Sequence, residues 1–139
     1  MSKIALISCV NKKLPCKSKA KNLYVSPLFK YNFKYAKSLN PDKVFILSAK
    51  YGMVDIEREI EPYDKTLNNM PSKEIREWAD GVIVQLKKEA DLEKDEFIFL
   101  AGAKYRKYLI PHISNYQIPL EGLKIGEQIH YLKERVSNE

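Results

Sequence analysis

Apolar residues fall into two rhythms along this chain. Three short runs, KIALISCV (3–10), KVFILS (43–48) and EFIFLAG (96–102), are apolar without helical spacing. They read as strands buried on both faces. Elsewhere the apolar positions recur every three or four residues. In SPLFKYNFKYAKSL (26–39), Phe29, Phe33 and Ala36 share a face, with Ser26 as cap and Pro27 in the first turn. Asn40 and Pro41 end that helix. SKEIREWADGVIVQLKKEA (72–90) turns Ile75, Trp78, Val82 and Leu86 inward, and Lys87 and Lys88 suit its C-terminal end. IGEQIHYLKERV (125–136) buries Ile129, Leu132 and Val136 in the same way.

The remaining stretches carry weaker signals. Residues 11–22 read as loop. Residues 53–71 are irregular, with a strand or turn near Val54 and a turn at Pro62-Tyr63-Asp64. AKYRKYLIPHI (103–113) predicts a short helix that stops before Pro111. YQIPL (116–120) predicts an edge strand with Pro119 at its end.

Strands separated by helices imply βαβ units with right-handed crossovers. The expectation is one α/β domain over residues 1–139. It would be three-layered and Rossmann-like, with helices flanking a small, mostly parallel sheet of about four strands. Ligands of such sheets bind beyond the carboxyl ends of the strands. Here those ends are Ser8-Cys9, Ser48-Ala49-Lys50-Tyr51-Gly52 and Ala101-Gly102-Ala103-Lys104-Tyr105, all on one rim. Two of them repeat a small residue followed by Ala-Lys-Tyr. Small residues admit a ligand to the backbone, tyrosines stack on a base or donate a hydrogen bond, and lysines neutralise phosphate. The alternative is that the small residues pack strand against helix and both Lys-Tyr pairs face solvent.

Composition narrows the class. With 139 residues, 45% apolar and 30% charged, the chain suits one soluble domain. No apolar run reaches the roughly 20 residues of a membrane span. The N-terminus MSKIALISCV has no signal-peptide cleavage site, so a cytoplasmic protein with Cys9 and Cys16 as reduced thiols is expected. The net charge of +6 conceals an asymmetry, because residues 1–51 hold eleven lysines and one acid, Asp42. Lys12, Lys13, Lys17, Lys19 and Lys21 crowd one short stretch and favour phosphate, on a nucleic acid or on a small nucleotide. A solvated loop that aids solubility is the plainer reading.

Several stretches together resemble a small bacterial and phage domain-of-unknown-function family. They are LISCVNKK, AKNLYVSPLF, ILSAKYGMV, IEPYDKTL, LAGAKYRKYL and PLEGLKIGEQIHYL, in the same order over nearly the whole chain. The family pattern is Cys-x-x-x-Lys, Leu-Tyr-x-Ser-x-Phe, Leu-Ser-Ala-Lys-Tyr-Gly, Pro-Tyr-Asp, Ala-Gly-x-x-Tyr and Gly-Leu-x-Ile-Gly. The first half is also distantly similar to YaaA-type peroxide-stress proteins, a resemblance that implies DNA binding and protection against oxidative DNA damage. The second half departs from that type. The resemblance implies one site containing Cys9, Lys13, Tyr24, Ser26, Ser48, Lys50, Tyr51, Gly52, Pro62, Tyr63, Asp64, Gly102, Tyr105, Gly122 and Gly126. It brings no reaction with it.

Candidate chemistry is therefore argued from residue types. Cys9 is a nucleophile candidate if Lys13 or a helix N-terminus ionises its thiol. His112 and His130 lie outside the matched motifs, which weakens a Cys-His hydrolase. Asp64 is the stronger catalytic candidate, because a carboxylate beside a tyrosine and a phosphate-binding lysine suits cleavage of an N-glycosidic bond. It equally suits an Asx turn. No GxxxxGK[ST] loop is present, and no Gly-x-Gly follows the first strand. Two histidines and two cysteines give no zinc set, so neither cofactor nor metal is expected. A nucleotide- or nucleoside-handling enzyme, a non-catalytic nucleotide binder and a nucleic-acid binder remain open. The ligand site would comprise Ser8, Lys13, Tyr24, Ser26, Ser48, Lys50, Tyr51, Gly52, Tyr63, Gly102 and Tyr105. A nucleic-acid interface would use Lys12, Lys17, Lys19 and Lys21. The partner is a phosphorylated small molecule or a nucleic acid, not a membrane. Oligomeric state is left open.

Overall fold

A computed structural model describes residues 1–136. Positions 137–139 of the expected domain lie outside the described residues. A five-stranded sheet in the order β4 (Gly52–Asp55), β3 (Lys43–Ser48), β1 (Lys3–Ser8), β6 (Glu96–Leu100) and β7 (Tyr116–Gln117) forms its centre, flanked by helices. The α/β expectation holds. The sheet has one strand more than expected and is mixed, because one edge runs antiparallel.

Strand β1 (Lys3–Ser8) is central, with Ile4, Ala5, Leu6 and Ile7 fully buried. Such a continuous apolar run is what a parallel strand covered on both faces requires. Parallel partners flank it, β3 (Lys43–Ser48) on one side and β6 (Glu96–Leu100) on the other. Antiparallel β4 (Gly52–Asp55) extends β3 by a tight hairpin. Strand β7 (Tyr116–Gln117) adds parallel pairing beside β6, within the expected edge strand. Counted in chain order, the four parallel strands stand as second, first, third and fourth across the sheet.

Helix α2 (Pro27–Ser38) links β1 to β3, and Ser26 Oγ caps it by accepting from the Phe29 N–H at 3.2 Å. Helix α3 (Ser72–Glu89) carries the chain from β4 across to β6 and packs against β4. Right-handed crossovers running in opposite directions from the centre place α2 and α3 on opposite faces. Helix α5 (Ile125–Val136) packs against α2. Leu132 of α5 is fully buried, while Ile129 and Val136 are half-buried. No helix among the described residues is long and apolar enough to cross a membrane.

Four local readings change. Strand β1 stops at Ser8 rather than Val10, although the Cys9 N–H still donates to the Leu47 carbonyl at 3.0 Å. The lysine stretch is not a plain loop. It folds back on itself through a Lys13–Tyr24 bridge, forms β2 (Ser18–Lys19) and α1 (Ala20–Leu23), and pairs β2 with β5 (Glu59–Ile60). Ala20 and Leu23, both fully buried, anchor it to the core. Pro62-Tyr63-Asp64 runs without a turn, and its chain next tightens at Leu67–Asn69. Helix α4 (Ala103–Arg106) is shorter than expected. Pro111 sits inside a separate 3-10 turn, Ile110–His112, where its missing N–H would have had no partner.

Candidate functional site

Between the carboxyl ends of β1 and β6 the sheet opens into a cavity of about 430 Å³. This is where the strand order reverses. The β1 connection leaves toward β3, and the chain returns to β6 on the other side. Ser8 and Cys9 form one wall, and the stretch from Ala101 to Arg106 forms another. Leu28 and Asn32 of α2 and Gln128 of α5 close the far side, with Leu120 and Leu123 as apolar surface. Among the described residues, Lys104 and Arg106 are the only charged ones in that lining, and no acid is among them.

Both cations are already positioned by backbone carbonyls. Lys104 Nζ donates to Asn68 O at 2.9 Å and Arg106 Nη1 to Ala101 O at 2.7 Å. Each retains further N–H groups, because an ammonium carries three and a guanidinium five. Asn32 is 5% exposed, and its Oδ1 has no hydrogen-bond partner among the described residues. A buried carbonyl left unpaired costs about 1–3 kcal/mol, so its retention on the apolar face of α2 calls for a reason.

Beside the cavity lies a cluster of hydroxyls. Ser48 is fully buried, and its Oγ accepts from the Lys50 and Tyr51 N–H groups at 3.2 and 3.0 Å while donating to Tyr63 Oη at 2.8 Å. Tyr63 Oη and Tyr24 Oη lie 2.7 Å apart, and the Tyr51 and Tyr63 rings meet edge to face. Cys9 Sγ lies 3.3 Å from Tyr105 Oη, which accepts from the Leu67 N–H at 3.4 Å. Burial holds the Tyr24, Tyr63 and Tyr105 hydroxyls well above the usual tyrosine value, and the nearby Cys9 adds to this, so they remain protonated. Lys13 Nζ sits 4.4 Å from the centre of the Tyr63 ring. Burial lowers the Lys13 pKa, with Cys9 and Asp64 pulling the other way.

Of the sequence candidates, Ser8, Cys9, Gly102 and Tyr105 line the cavity. Lys13, Tyr24, Ser48, Tyr51 and Tyr63 join the adjoining cluster instead. Asp64 is exposed beside Lys13, outside the cavity lining. Ser26 caps α2, and Gly52 turns the hairpin at φ +73°. Lys50 is exposed, 5.3 Å from the Tyr51 ring centre. Lys12 and Lys17 face solvent, whereas Lys19 and Lys21 share Glu57 at 3.1 and 2.6 Å. Cys9 and Cys16 are both free thiols.

Sequence reasoning missed Asn32, Arg106 and Gln128, and it placed Lys104 on the rim without counting it among the ligand residues. Asn32 left a signal, since it falls between Phe29 and Ala36 on the buried stripe of α2, where a carboxamide is out of place.

Residues 4–134, from the first strand through most of the last helix, match a protein family described as a family of unknown function, DUF6884. The chain belongs to DUF6884. No curated protein and no solved structure matches it. The match spans every cavity wall of this DUF6884 domain, from Ser8 to Gln128.

Proposed function

We propose that this DUF6884 domain binds a small nucleotide or phosphorylated nucleoside in the cavity between the β1 and β6 ends. The supporting observation is a cavity at the strand-order reversal whose lining holds Lys104, Arg106 and no acid. Phosphate would take the unused N–H groups of those two residues. The planar part would lie against Leu28, Leu120 and Leu123, within reach of the Gln128 carboxamide. A volume of about 430 Å³ falls in the ordinary range for small-molecule sites.

Binding without cleavage is the reading the geometry favours. Asp64, the acid suited to an N-glycosidic bond, stands outside the cavity lining, and Cys9 is engaged with Tyr105. A nucleic-acid interface of the YaaA type has less support, because Glu57 neutralises two of the four lysines it would use.

Thermal unfolding with nucleoside monophosphates, nucleosides, NAD and a short DNA duplex tests the proposal, with the mixtures afterwards resolved by chromatography. A ligand at a hundred times its Kd stabilises by about 2.7 kcal/mol. The expected result is stabilisation by a monophosphate, lost in Lys104→Ala and Arg106→Ala, with no released base. Stabilisation by the duplex alone, falling steeply with salt, would replace this reading with the nucleic-acid one. A free base that vanishes in Asp64→Asn would restore catalysis.

A further inference from the structure

Helix α2 carries Lys30, Lys34 and Lys37 and no acidic residue. Their four- and three-residue spacing puts them on one side of the helix, where like charges repel. None of the three makes an ion pair among the described residues. Alongside them runs a hollow of about 390 Å³ with Leu14, Val25 and Phe33 in its lining. It continues past Phe33 and Lys34 into a second hollow of about 450 Å³ that reaches Lys37 and Val136. Neither lining contains an acid among the described residues. Phe33 is half-buried and stacked on the buried Phe29, with ring centres 6.3 Å apart, so the floor is fixed.

We propose that this groove docks an acidic amphipathic helix of a partner protein. An apolar floor beside an uncompensated row of lysines complements a helix with leucine or phenylalanine on one face and glutamate or aspartate flanking it. Acidic flanks would relieve the repulsion along α2, and the apolar face would take the hollow out of water. The 12 residues of α2 span about 18 Å, enough to lie along two to three turns of a partner helix. Phosphodiester chains gain from the lysines but leave the apolar floor wet. A bilayer surface is met by protruding apolar side chains, whereas these are recessed. No residue lines both this surface and the cavity between β1 and β6, although α2 contributes to each.

Anisotropy of a labelled synthetic peptide, with leucine and phenylalanine at i, i+3, i+4 and i+7 and glutamate elsewhere, supplies the test. A scrambled peptide of the same composition, anionic phosphatidylserine vesicles and a short duplex are compared on the same protein. The expected result is saturable binding of the patterned peptide, weaker by about tenfold or more for the scramble and for Lys30→Glu/Lys34→Glu, whose exposed positions leave the fold intact. Phe33→Ser, with its melting temperature checked, weakens binding at unchanged charge. Equal binding of the scramble, preference for vesicles or duplex, or no binding of the patterned peptide overturns the proposal.

Discussion

Replacing Gly52 by alanine asks what the hairpin after β3 requires. Gly52 has φ +73°, and a Cβ built there would lie 2.5 Å from Gln85 Oε1. The left-handed conformation alone costs a side-chain-bearing residue about 1–2 kcal/mol. Gln85 is flexible at its tip and can swing aside, but doing so abandons the Met53 N–H, which donates to Oε1 at 2.7 Å. Leaving that part-buried donor unmatched adds about 1–2 kcal/mol. Gly52→Ala should therefore destabilise the domain by about 2–4 kcal/mol, moving a urea midpoint down by about 1–2 M. Gln85→Ala loses the same hydrogen bond without the clash, at about 1–2 kcal/mol. In the double variant only the backbone cost is new, so the two effects fall short of additivity by about 1–2 kcal/mol. Urea unfolding of the four proteins measures this. A Gly52→Ala loss under about 1 kcal/mol, or strict additivity, would refute the assignment of Gly52 to the hairpin and Gln85 contact.

Three further outcomes follow from buried polar groups. Ser48→Ala removes the acceptor of two backbone N–H groups and the partner of Tyr63, and should cost about 2–3 kcal/mol in urea unfolding. Tyr105→Phe strands the buried Leu67 N–H, so about 1–3 kcal/mol should be lost, with amide exchange at Leu67 accelerated. Asp95 accepts from the Asp91 and Ser2 N–H groups at 2.8 and 2.7 Å, which holds its carboxyl below the ordinary aspartate value. The unfolded chain then binds the proton more tightly. Stability from Asp95 is full above the ordinary value and is lost as pH falls through it toward the folded one. Urea midpoints across the acid range should show that slope, and Asp95→Asn should flatten it.

The parts of the fold legible in sequence are those whose burial repeats. Ile4 to Ile7 announce a strand covered on both faces because every residue is apolar, and α3 announces itself through Ile75, Trp78, Val82 and Leu86 at helical spacing, of which Trp78 is half-buried. Strands β2 and β5 are two residues each, too short for any period to register. The lysine stretch hid its anchor, since Ala20 is a lone apolar residue between lysines, held by tertiary contact. At the rim, tyrosines and small residues drew attention to the end of the sheet where the cavity opens. The division into a cavity and a separate hydroxyl cluster depends on side-chain direction, which spacing along one strand does not encode. Lys104 was in view as part of a repeated Ala-Lys-Tyr, whereas its companion Arg106 lines the cavity from the same short helix without belonging to any repeat.

Trp78 is the only tryptophan in the chain. Its indole Nε1 donates to the Ser48 carbonyl at 2.9 Å, and its ring meets the edge of Tyr105 with centres 5.7 Å apart. Tyr105 in turn walls the cavity. The protein thus carries a single indole, excitable apart from its nine tyrosines, wedged between the hairpin and the cavity. Movement of Tyr105 on filling the cavity would change the indole's quenching, and loss of the Ser48 contact would shift its emission to the red. One spectrum can then separate occupancy of the cavity from opening of the hairpin, with no label attached to the chain.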